Sequence, residues 1–108
     1  MLARQFDHEK LEVYQHSLRF VGCTGDLLDG LPKTLAAHDQ LDRASTSIPL
    51  NIAEGTAKTT VPDRCRYFDT ARGSAVECAA SLDILVLRKA LTPEDAETGK
   101  PFSCPSFP

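Results

Sequence analysis

Apolar positions recur along this chain at steps of three and four, the signature of helices with one buried stripe. Leu11, Tyr14, Leu18, Val21, Gly25 and Leu28 form a heptad-type seam that predicts a helix within residues 6–30, closed by Gly30-Leu31-Pro32. Gly22 and Gly25 each cost about 1 kcal/mol of helix propensity. Gly25 lies on the seam, so it reads either as room for a close neighbouring helix or as fraying near the helix end. A second helix is predicted from Lys33-Thr34 to Gly55, the glycine serving as C′ residue. Leu41, Ala44, Ile48 and Ile52 give it one apolar face.

Within that helix, residues 40–55 are unusual, because small polar side chains and Pro49 interrupt an apolar stripe. Pro49 lacks a backbone donor and collides with the Ser45 carbonyl, which predicts a kink or two shorter helices meeting at Ile48. Ser45, Thr46 and Ser47 offer hydroxyls to carbonyls freed by a bend. A third helix opens at Val61-Pro62-Asp63 with Thr60 as N-cap, and its stripe of Tyr67/Phe68, Ala71, Ala75, Cys78/Ala79, Leu82 and Leu85/Val86 runs to about Leu91. Thr92-Pro93-Glu94-Asp95 announces a fourth helix. The sequence then turns to Lys-Pro-Phe-Ser-Cys-Pro-Ser-Phe-Pro, whose prolines bar a helix, so one turn is expected and no more. The prediction is all-α: an antiparallel up-down bundle of three long helices and a truncated fourth over residues 1–97, followed by an irregular tail, 98–108.

Length and composition add limits. With 108 residues, 42% of them hydrophobic, the chain makes one domain with a modest core. No run approaches the roughly 20 apolar residues that cross a bilayer, and residues 1–10 lack the apolar stretch of a signal peptide. A cytoplasmic protein is expected. Cys23, Cys65, Cys78 and Cys104 show no C-x-x-C spacing, so they read as small core residues rather than zinc ligands. Cys65 and Cys78 on one helix lie roughly 20 Å apart, beyond disulfide reach.

The net charge is −3, unevenly spread. Residues 56–73 carry Lys58, Arg64, Arg66 and Arg72 against two acids; residues 1–30 carry three cations against five. The first group is a candidate surface for RNA or DNA phosphates, on a chain more acidic than most nucleic-acid binders. Other constellations are weak. His8, Glu12 and His16 share one helical stripe but lack further ligands, so no metal or cofactor is expected. Gly73-Ser74-Ala75-Val76-Glu77 is not a nucleophile elbow, and Gly55-Thr56-Ala57-Lys58-Thr59 is a phosphate loop without its Gly-Lys. His38 and Asp42 read as a surface pair. Nothing supports catalysis.

Three stretches carry a family resemblance: Gln40-Leu41-x-Arg43-Ala44, Ser47-Ile48-Pro49-x-Asn51-Ile52-Ala53-Glu54-Gly55, and Ala71-Arg72-Gly73-Ser74-x-x-Glu77. With Leu11-x-Val13-Tyr14-Gln15, they make the chain similar, over roughly residues 6–97, to the four-helix-bundle proteins encoded in intervening sequences of bacterial 23S rRNA genes. Those proteins resemble in turn the accessory variability protein of diversity-generating retroelements. The resemblance implies a homo-oligomer, typically a pentameric ring. For the retroelement relatives it also implies nucleic-acid binding and a protein partner, a reverse transcriptase. Arg43, Ser47, Pro49, Asn51, Glu54, Gly55, Gly73, Ser74 and Glu77 are then structural and interface residues. On the weightier reading Arg43, Glu54, Arg72 and Glu77 form a polar network that fixes helix register or subunit pairing, each needing a partner if buried. On the other, Arg43 and Arg72 face phosphates. Asn51 and Ser47 are expected to satisfy backbone around Pro49. The short fourth helix and the acidic balance depart from the family. The sequence therefore supports a non-enzymatic oligomeric scaffold or adaptor, with a protein-only assembly module or a truncated, inactive product as alternatives.

Overall fold

The computed structural model describes residues 7–100. A 3₁₀ turn, Asp7–Lys10, leads into α1 (Glu12–Asp29), α2 (Ala36–Ala57), α3 (Val61–Leu87) and the short α4 (Pro93–Gly99). No strand occurs among the described residues, and none of their helices is long and apolar enough to cross a membrane. α2 and α3 make the most extensive pairing, α1 packs on α2, and α1 and α3 do not approach one another. α4 touches both α1 and α3. The arrangement is an up-down bundle whose fourth corner is filled only at one end.

Local chemistry sets most boundaries. Thr60 and Thr92 are N-caps, their hydroxyls accepting from the Asp63 and Asp95 amides at 3.3 and 3.1 Å. α2 begins later than expected, at Ala36, because Pro32 to Leu35 form a turn in which the Leu35 amide donates to the Pro32 carbonyl. It also runs past Gly55 to Ala57, so Gly55 is not a C′ residue but a buried helical one. α2 stays a single helix through Pro49 rather than two helices meeting at Ile48. α3 stops at Leu87, short of Leu91, through a left-handed Lys89 with φ 61°. α4 makes nearly two turns rather than one, and the sequence beyond Lys100 lies outside the described residues.

Leu41, Ala44, Ile48 and Ile52 of α2 are buried as expected, with Ala71, Cys78, Leu82 and Leu85 of α3 opposite. On α1 the seam is turned by about one residue. Ser17, Phe20, Thr24 and Leu28 are buried, whereas Leu18 is 42% exposed. Ser17 tolerates burial because its hydroxyl donates to the Tyr14 carbonyl at 2.6 Å. Neither Gly22 nor Gly25 has a neighbour within 4 Å of a Cβ position, so no close helix contact within the chain explains them. Cys78 is a core residue; Cys65 is exposed and is not.

Candidate functional site

The motif around Pro49 builds a polar bridge between α2 and α3. Ser47 Oγ accepts from Asn51 Nδ2 and from Ser74 Oγ, both at 2.9 Å. Asn51 Nδ2 also donates to the Ser47 carbonyl at 2.8 Å, so it serves the backbone near Pro49. Ser45 and Thr46 hydroxyls donate to the carbonyls of Asp42 and Arg43, one turn before the carbonyl that Pro49 leaves unbonded. Pro49 itself is buried. Gly55 permits a close approach of the two helices: a Cβ there would stand 2.7 Å from the Phe68 ring and 3.2 Å from the Arg64 carbonyl oxygen.

Within the chain, the motif's charged residues do not fix the register of one helix on another. Arg43, Glu54, Arg72 and Glu77 are all exposed in the chain, and none bridges two helices. Arg43 pairs with Asp39 at 3.7 Å, Glu54 with Lys58 at 3.5 Å and Arg72 with Asp69 at 3.5 Å, each along its own helix. Their i,i+3 and i,i+4 spacings explain this, since such neighbours meet without a second helix.

Lys58, Arg64, Arg66 and Arg72 fall at the α2–α3 turn and in the first half of α3, but on two sides: Lys58 and Arg66 flank Tyr67, whereas Arg64 and Arg72 border an apolar groove. Their field is muted. Arg66 pairs with Asp63 at 3.5 Å, leaving Arg64 as the member of the four with no ion pair among the described residues. Tyr67 sits between Lys58 and Arg66, whose cationic heads lie 5.1 and 5.3 Å from its ring centre.

The histidines are engaged structurally. His38 does not face Asp42; its Nε2 lies 3.2 Å from the Leu28 carbonyl, tying α2 to the last turn of α1. His8 belongs to the 3₁₀ turn and meets Tyr14 edge-on at 4.8 Å. The break at Leu11 thus divides the stripe of His8, Glu12 and His16.

Two apolar surfaces escaped the sequence reading. Val76, Ala80, Ile84 and Leu87 line the face of α3 turned away from the core, with Val76 65% and Leu87 81% exposed. Gly73, open on that side, extends the row. Their heptad-like spacing was the available signal, hidden because the core stripe on the same helix is stronger. The second surface is an open apolar groove of about 490 Å³ between α1 and α3, floored by Ile48 and Ile52. Arg64 and Arg72 stand at its edge.

Residues 9–101, most of the chain, match the family described as 23S rRNA-intervening sequence protein. No curated protein matches the chain closely enough to count as a relative. The three long helices, the interlocked Ser47-Asn51-Ser74 bridge and the glycine contact at 55 fall within the matched span, and the chain belongs to the 23S rRNA-intervening sequence protein family.

Proposed function

We propose that this chain is a non-enzymatic scaffold or adaptor that assembles with copies of itself. The observation that carries the reading is the outer row of α3, in which Val76, Ile84 and Leu87 present large apolar side chains to solvent at 65, 43 and 81% exposure. Contiguous apolar rows of this kind mark association surfaces. The polar side chains of the central motif hold helices together rather than converge on a reacting group, which favours a structural role. A row on one copy meeting a different surface on the next closes a ring when the rotation allows. The pentamer implied by the resemblance is the form this reading takes, and the likeness to the retroelement accessory protein belongs to the same proposal.

Light scattering coupled to size-exclusion chromatography tests it. A discrete oligomer is expected, and the double variant Val76→Glu, Leu87→Glu is expected to elute as a monomer with unchanged helical circular dichroism. A monomeric wild-type chain, or heterogeneous aggregate, sinks the reading. A second reading, contact with RNA or DNA, is favoured by Lys58 and Arg66 beside Tyr67, with Arg64 on the neighbouring face of α3. Titration with a labelled RNA at two salt concentrations should then show affinity that falls with salt and is lost in Arg64→Glu, Arg66→Glu. Affinity unmoved by that change removes the patch.

A further inference from the structure

α1 and α3 run parallel on either side of α2, and the gap between them is shaped for one more helix. α4 demonstrates this by occupying the gap's far end, where Ala96 is 3% exposed and the Gly99 backbone faces Leu82 and Leu27. Phe68, Arg72, Ala75, Ala79, Leu82 and Val86 form one row along α3 at steps of four and three. α4 uses the Leu82–Val86 end of that row; the Phe68–Ala75 end borders the open groove. Val13 of α1 stands on the opposite wall, 44% exposed. The open stretch, from Ala75 back to Arg64, is 11 residues of helix, about 17 Å.

We propose that this groove is a docking site for an amphipathic α-helix of about 12 residues from another protein. The helix lies along the axis of α4, antiparallel to α3, with its apolar stripe on Val13, Phe68 and Ala75 above a floor of Ile48 and Ile52. The flank that meets α3 is acidic. Arg64 carries a guanidinium on the groove edge without an ion pair among the described residues, and Arg72 nearby is held only by the exposed Asp69 at 3.5 Å. A basic flank would place like charges against both. Docking of an apolar helix face into a groove through anchors at helical spacing is an established recognition mode. The proposal stands apart from self-association, which uses a different face of α3.

The probe is a fluorescein-labelled synthetic 12-residue peptide with leucines at heptad a and d positions and glutamates along one flank. Its twin carries lysines there. Anisotropy with the full chain should show the glutamate peptide binding at least tenfold tighter. Arg64→Glu should abolish or invert that preference, and Ala75→Arg should weaken binding at least tenfold with helical content unchanged. Val13→Arg, on the opposite wall, gives the same loss if Ala75→Arg misfolds. Methyl NMR should place the shifts at Ile48, Ile52 and Val13. Equal affinity for the two peptides, insensitivity to Arg64→Glu, or shifts elsewhere would overturn the proposal. So would methyl shifts at these residues produced by sodium oleate and not by the peptide, or by raising the concentration of the chain alone.

Discussion

Gly55 shows how one missing methyl sets the distance between α2 and α3. Alanine there gains about 1 kcal/mol of helix propensity. Its Cβ, however, would sit 2.7 and 2.9 Å from two Phe68 ring carbons and 3.2 Å from the Arg64 carbonyl. The ring, at 36% exposure, has room to swing; the carbonyl is helix backbone and does not. Overpacking of this kind costs roughly 1–3 kcal/mol, so Gly55→Ala should destabilise by about 1 kcal/mol net. The loss should shrink in a Phe68→Ala background, as a double-mutant cycle by urea unfolding would read. An unchanged midpoint would mean that the two helices part easily. Cys78 is a second decisive residue. It is fully buried, and burial pushes its thiol from 9.0 up to about 12, with the Glu77 carboxylate adding to the rise. The buried neutral thiol therefore contributes stability that is complete below pH 9.0 and is lost as pH rises toward 12. The loss amounts to about 1.4 kcal/mol per pH unit. Urea unfolding at pH 8 and 10.5 should show a steeper alkaline loss for the wild type than for Cys78→Ala. Native alkylation should mark exposed Cys65 and spare Cys78.

At the level of single helices, the ends carry much of the chemistry. α3 ends in a Schellman arrangement, with the Lys89 amide donating to the Val86 carbonyl and the Ala90 amide to the Leu85 carbonyl, both at 2.9 Å. Its left-handed residue is Lys89, where a Cβ costs about 1 kcal/mol or more. Lys89→Gly should raise stability by about 1 kcal/mol, visible as a higher thermal midpoint. No gain would mean that the lysine side chain offsets the strain through contacts of its own. The caps at Thr60 and Thr92 were legible in the sequence because a hydroxyl followed by proline and acids has a local cause. The seam of α1 was not. Counting apolar residues selects Leu18, whereas Ser17 and Thr24 are buried in its place. A small hydroxyl that bonds its own helix, as Ser17 does to Tyr14, looks polar in sequence and behaves as filler in a core. Conspicuous charges suggested contacts between helices; within the chain, three of the four instead meet opposite charges three or four residues away in sequence.

For the whole molecule, the deciding feature is how firmly the short α4 belongs to the bundle. Surface ion pairs contribute little, so the bridge from Lys100 to Glu97 and Asp83, at 3.2 and 3.7 Å, does not anchor it. Ala96 does, being the buried residue of α4 against a corner that α1 and α3 leave open. A carboxylate at that position meets only Lys100, already held by Glu97 and Asp83, and its desolvation exceeds what seven residues of helix gain by docking. Ala96→Glu is therefore expected to release α4 while α2 and α3, which form the most extensive pairing, remain closed. Hydrogen exchange should show loss of protection confined to α4 and a fall in unfolding free energy of about 1–3 kcal/mol. That outcome would make the three long helices the cooperative unit and α4 a local latch on the fourth corner. If amides of α2 and α3 lose protection in step with α4, the latch is integral: the bundle cannot stand on three helices. In that case a helix docking in the remainder of the same corner would stabilise the entire fold, so that peptide binding and thermal midpoint should rise together.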